Sequence, residues 1–133
     1  MIVADASALF QVLGGASPGE RIEARLFGRG EAIFAPHLVD AEIVSVLRRH
    51  VLAKQLAEAR ARAMLTDYLD MSLTRLPHTP LLPRVFALRH TMTAYDALYV
   101  ALAESLGATL VTREGRLARA AEGVCAVEVF EQA

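Results

Sequence analysis

The sequence predicts an α/β fold of three layers, with helices on both sides of a mainly parallel, roughly five-stranded sheet. Three observations predict it. Short apolar runs recur at 1–4, 32–35, 73–76, 109–112 and 127–130. The intervals between them carry apolar residues at helical spacing, and strands alternating with helices are the pattern of a parallel sheet. A chain of 133 residues with 54% hydrophobic content suits a single domain over 1–133 with a genuine core.

The elements follow in order. MIVA (1–4) is a short buried strand, and Asp5 or Ser7 caps the helix that runs from Ala8 to Leu13 before Gly14 and Gly15 stop it. Pro18 opens a second amphipathic helix that ends near Gly28, and AIFA (32–35) is a strand stopped by Pro36. The third helix spans 37–52, with Leu38, Val39, Ile43, Val46, Leu47 and Val51 on its apolar face, and the fourth spans 54–71; together they make a helical hairpin. A strand at 73–76 and a proline-punctuated helix over 79–90 come next. The segment from Thr93 to Gly107 is a helix apolar around most of its surface, hence largely buried, and it leads into the strand TLVT (109–112). A short helix at 115–121 and the strand VEVF (127–130) complete the chain. No internal repeat, linker or low-complexity stretch interrupts it.

Composition narrows the function classes. A net charge of -1 demands no polyanionic partner globally, so any nucleic-acid site is a local patch. Of the 14 basic residues only Lys54 is not arginine, and arginine is the cation better suited to forked phosphate contacts. Cys125 is the lone cysteine and reads as a small core residue, which suits a reducing compartment. With no basic leader and no apolar run of membrane-spanning length, the expected setting is cytoplasmic, with no membrane. Gly14-Gly15 lacks the Lys-Ser or Lys-Thr of a phosphate-binding loop, and His37, His50, His78 and His90 lack zinc-ligand spacing, so neither group is assigned chemistry. Tyr95 and Tyr99 read as core packing.

The acids carry the functional signal. In an open parallel sheet, ligands bind outside the carboxyl ends of the strands. Asp5 ends the first strand, and Thr112 and Glu114 end the fourth, while Glu42 and Asp96 sit in the opening turns of helices that start at that edge. Singly, each has a structural explanation: Asp5 as a cap, Thr93 to Asp96 as a capping box, Glu42 and Glu114 as complements to a helix dipole. As a set, four carboxylates at one edge repel one another unless protons or a hard cation such as Mg²⁺ or Mn²⁺ intervene.

The blocks 3-VADASALF-10, 37-HLVDAEIVSVLRR-49 and 94-AYDALYVALAESLGATLVTREGRLARA-120, in this order and spacing, resemble the PIN-domain ribonucleases, and within them the VapC-type toxins of bacterial toxin–antitoxin pairs. The resemblance spans nearly the whole chain. It implies a PIN-like fold and a metal-dependent endoribonuclease whose products carry 5′-phosphate and 3′-hydroxyl ends. By the same resemblance Asp5, Glu42 and Asp96 bind Mg²⁺ or Mn²⁺, and Ser7 and Thr112 are polar site residues. The fourth acid of the family, usually Asp, falls on Glu114, one methylene longer. A small antitoxin partner is implied too. The apolar surface of the first four helices is where it or a second copy in a homodimer would dock.

Arg113, Arg116 and Arg119 beside Glu114, with Arg48 and Arg49 on another rim, are the candidates for contact with RNA phosphates. Two other classes place an acid after a first strand. A phosphoaspartyl enzyme needs a lysine near a late strand end or a second Asp two positions on, whereas here the lysine is Lys54 and position seven is Ser7. A catalytically weak PIN-like binding module draws support from Glu114, and metal-dependent RNA cleavage separates it from the enzyme.

Overall fold

The computed structural model describes residues 1–131. Five strands make one sheet: β1 (Ile2–Ala4), β2 (Ile33–Pro36), β3 (Thr74–Leu76), β4 (Thr109–Thr112) and β5 (Ala126–Val129), in the order β3-β2-β1-β4-β5. All four neighbouring pairs are parallel, with Val3 opposite Phe34 on one side and Leu110 on the other. The expectation of a mainly parallel sheet is met throughout. β1 is central, which is why Ile2, Val3 and Ala4 are apolar without alternation: both faces are covered.

The helices are α1 (Ala6–Gly14), α2 (Gly19–Phe27), α3 (Leu38–Leu52), α4 (Glu58–Asp70), α5 (Leu82–Ala87), α6 (Ala94–Leu106) and α7 (Gly115–Ala121). α6 buries an unbroken run from Ala97 to Ala103, the outcome expected of a helix apolar on nearly every side. Thr93 caps it by accepting the Asp96 N–H at 3.2 Å, and Gly107, at φ 62°, ends it in the left-handed region. α1 and α2 come so close that a side chain on Gly19 would meet the Gln11 carbonyl.

Two helices differ from expectation. The fourth starts at Glu58 instead of Lys54, because the chain after α3 turns through a left-handed Lys54 (φ 59°), and its N–H bonds to the Val51 carbonyl. The segment 79–90 is a 3-10 turn (Thr79–Leu81) followed by the shorter α5, since Pro83 lacks the N–H that one continuous helix would use there. α3, α4 and β3 are tied together where Asp40 accepts from the Tyr68 hydroxyl and from Arg75 Nε at 2.8 Å. Among the described residues no helix is long and apolar enough to cross a membrane.

Strand order reverses beside β1: the chain moves outward through β2 and β3, then returns to β4 on the other side. The helices following β1 and β4 therefore diverge at their starts and leave a crevice at the carboxyl edge, where open α/β sheets place their ligands.

Candidate active site

Asp5 stands at that divergence. Leaving β1, it caps α1 by accepting the Ala8 N–H on Oδ1 at 3.0 Å. Ser7 Oγ donates to the same oxygen at 2.7 Å, and Thr112 Oγ1 donates to Oδ2 at 2.5 Å. Each hydroxyl is oriented in turn from the β4 side: Ser7 Oγ accepts the Arg113 N–H at 3.0 Å, and Thr112 Oγ1 accepts the Glu114 N–H at 3.0 Å. The network stitches the ends of β1 and β4 together around one carboxylate. Burial raises the Asp5 pKa to about 6; the donors from Ser7, Thr112 and Ala8 pull it down, and the charge of Glu114 pushes it up again.

A pair of carboxylates comes from α3 and α6. Glu42 accepts the Tyr99 hydroxyl on Oε1 at 2.5 Å. Its pKa is raised by burial, countered by the Tyr99 donor and reinforced by the charge of Asp96. Asp96 and Tyr99 are three residues apart on α6, so one helix face presents both toward Glu42. Burial and donation to Glu42 push the Tyr99 phenol upward, which keeps its proton on oxygen. Tyr99 is thus a buried support of the site instead of mere core packing. Tyr95 is 63% exposed and is not core at all. Both corrections have one cause: which side of α6 meets α3 is decided by the sheet.

Capping explains Asp5 only in part and does not explain the other acids. Among the described residues the carboxylates of Asp96 and Glu114 accept no hydrogen bond, and Glu114 stands at the start of α7 without capping it. Asp5, Ser7, Glu42, Asp96, Arg113, Glu114 and Arg116 line one crevice of about 660 Å³, with Arg49 on its far wall. Thr112 lies behind Asp5, fully buried. The structure leaves Arg48 and Arg119 outside this lining: Arg48 points from an exposed position on α3, and Arg119 lies 3.8 Å from Glu131. Helical rotation separates Arg48 from Arg49 by about 100°. Phe10, Gln11, Ser45 and His50 also line it and were not assigned to the site from the sequence. Helical spacing from Ser7 and from Glu42 was the clue that could have found them.

The donor set is one of carboxylates and hydroxyls, which suits a hard divalent cation. Among the described residues no three acidic, imidazole or thiol groups form a ready-made ion cage. A cation that keeps part of its water shell and uses few direct carboxylates fits such an arrangement.

A family model described as PIN domain matches residues 2–123. The chain belongs to the PIN domain family. Within it the chain groups with the VapC ribonucleases: it is 40% identical to Ribonuclease VapC9 of Mycobacterium tuberculosis over 129 residues, 97% of this chain and 98% of that one. The solved structure of PAE2754 from Pyrobaculum aerophilum superposes with a TM-score of 0.70 at 26% identity, covering 95% of this chain and 89% of that one. VapBC2 from Rickettsia felis, bound to a DNA fragment from its promoter, matches at TM-score 0.72 over 98% of this PIN domain and 100% of that chain. At 16% identity that last likeness is one of fold.

Proposed function

We infer that this PIN domain is a metal-dependent endoribonuclease, the toxin of a toxin–antitoxin pair, that hydrolyses RNA phosphodiester bonds. The observation that carries the reading is the gathering of Asp5, Glu42, Asp96 and Glu114 around one crevice, two of them with carboxylates free of protein partners. The family relation supports it, because the VapC relatives are named ribonucleases and PIN-domain VapC ribonucleases generally use divalent metals.

Asp5, Glu42, Asp96 and Glu114 would hold the ion, Mg²⁺ or Mn²⁺ by their oxygen chemistry. When bound, it supplies an acidic water and charge compensation at the phosphate. The chain's own groups do the rest. Ser7 and Thr112 fix Asp5, Tyr99 fixes Glu42, and Asp96 would hold the ion or orient its water. Arg49, Arg113 and Arg116 meet the phosphates at the rim, which offsets the repulsion between an acidic site and a polyanion.

The antitoxin seat we propose is a second recess of about 300 Å³ between α1, α2 and α4, with an apolar floor of Val12, Leu13, Phe27 and Met71 and an acidic rim of Glu23, Asp67 and Asp70. That combination suits a segment with apolar and basic residues. Exposed Leu82, Phe86 and Tyr95 on α5 and the start of α6 offer a separate apolar surface for a homodimer.

Asp96→Asn tests the centre of the reading. The substitution keeps volume and removes one charge, so the purified chain with Mg²⁺ or Mn²⁺ should cut RNA at least about a hundred-fold more slowly than the native one while its thermal midpoint holds or rises. Native-rate cleavage by the variant would remove Asp96 from the chemistry. Failure of the native chain to cut RNA with either ion would overturn the enzyme reading in favour of a binding module.

A further inference from the structure

The crevice extends well beyond the acids. α1 faces it with Ser7, Phe10 and Gln11, and α3 with Glu42, Ser45, Val46, Arg49 and His50, each set at the spacing of one helix face. At 1.5 Å per residue, the seven steps from Glu42 to Arg49 carry the lining roughly 10 Å from the carboxylates. Its character changes along the way. The far part, from Phe10 and Gln11 to Arg49 and His50, holds no acid.

Apart from Val46, its side chains are aromatic and polar. The Phe10 and His50 rings lie 4.9 Å apart at a tilt of 37°, which joins the two helices by an aromatic pair. His50 Nδ1 is 2.9 Å from the Val46 carbonyl, which can only accept, so that nitrogen donates, and Nε2 is left without a protein partner among the described residues. Among the described residues the Gln11 amide, the Ser45 hydroxyl and the Arg49 guanidinium make no hydrogen bond to the protein. Solvent-facing polar groups without protein partners, beside an aromatic pair and a phosphate-seeking cation, are parts that single-stranded nucleic acid is held by.

We propose that Phe10, Gln11, Arg49 and His50 form a subsite for one unpaired nucleotide next to the scissile bond. The base stacks at the Phe10–His50 pair, Gln11 reads its edge and Arg49 takes its phosphate. The proposal deepens the ribonuclease reading and rests on it for the position of the bond. Selectivity then resides in α1 and α3, away from the cutting acids.

The test uses 5′-labelled pentaribonucleotides of A, C, G and U, titrated in EDTA by fluorescence anisotropy, with RNA integrity checked on gels. The native chain should rank the four by affinity. Gln11→Met keeps the side-chain shape and removes its hydrogen bonds, so the ranking should collapse to within about two-fold. Phe10→Leu should weaken the preferred pentamer roughly five-fold or more, the scale of a lost base stack. Should Phe10→Leu fail to fold, Gln11, partly buried and outside the core, still decides. Native-like ranking in a folded Gln11→Met chain overturns the subsite, as does a native chain that binds no pentamer. Cleavage assayed separately with Mn²⁺ tells the two readings apart. Cutting with unchanged ranking sinks the subsite alone, and ranking that collapses as expected without any cutting sinks the ribonuclease reading alone.

Discussion

Asp5 serves two ends that conflict. As a helix cap it needs to accept hydrogen bonds, and as the deepest acid of the crevice it is 4% exposed and loses hydration. The folded, metal-free protein therefore holds its proton up to about pH 6, against 3.8 for the free group. Between those values the folded state binds more protons than the unfolded one, so this contribution to stability falls as pH rises through the window and stays lost above it. The loss is on the order of 3 kcal/mol. Denaturant titrations in chelator should show Asp5→Asn gaining on the native chain from pH 4 to pH 6.5, and a difference flat with pH would contradict this. Tyr99 poses the complementary case, a donor whose removal leaves a carboxylate half-satisfied. Tyr99→Phe keeps the buried ring, and Mn²⁺ affinity measured by calorimetry should drop about ten-fold, the usual scale for a residue that orients a ligand. Unaltered Mn²⁺ affinity would reduce Tyr99 to packing.

At the scale of elements, α6 carries the most. Its first turn delivers Asp96, its next delivers Tyr99, and its buried run anchors both against the sheet. Gly107 makes the exit to β4 possible by taking φ 62°, a conformation that costs a side-chain-bearing residue about 1–2 kcal/mol. Gly107→Ala should lower stability by that amount in urea titrations and leave RNA cleavage at 25 °C unaltered, because the C-terminus of α6 lies some 15 Å or more from Asp96. Slowed cleavage in the folded variant would mean that the end of α6 governs its start. α3 contributes differently: Asp40, bonded to Tyr68 and Arg75, pins its first turn to α4 and β3, and Glu42 follows two residues later. The pinned turn sets where Glu42 can point.

For the whole molecule, a net charge of -1 means that RNA is drawn by a patch and not by the protein's overall field. Arg49, Arg113 and Arg116 border the crevice, and three neutralised phosphates on a single strand give a slope of about -2 in log affinity against log salt. Arg116→Gln should reduce that slope by about 0.7 when binding is followed across salt concentrations. A slope of about -3.5 would require the outlying Arg48 and Arg119 as well. The sheet is what makes a patch of this kind: parallel strands bring the starts of α1, α3, α6 and α7 to one edge, and the reversal of strand order beside β1 opens the crevice between them.

Much of this was legible in the sequence, for reasons that are local. Strand runs without alternation announce a sheet covered on both faces, glycine at position 107 announces a helix end, and acids after strands announce the carboxyl edge. Asp5, Glu42, Asp96 and Glu114 could be placed at that edge from the order of strands and helices, and Ser7 and Thr112 came with the family resemblance. Tertiary structure decided what depends on rotation and contact between elements: that Arg49 and not Arg48 faces the crevice, that Tyr99 supports Glu42 while Tyr95 is exposed, and that Phe10 meets His50 across two helices. Spacing along a chain fixes which residues share a helix face. Which face looks inward is settled only when distant segments pack, since burying apolar area sets the rotation and the polar groups follow.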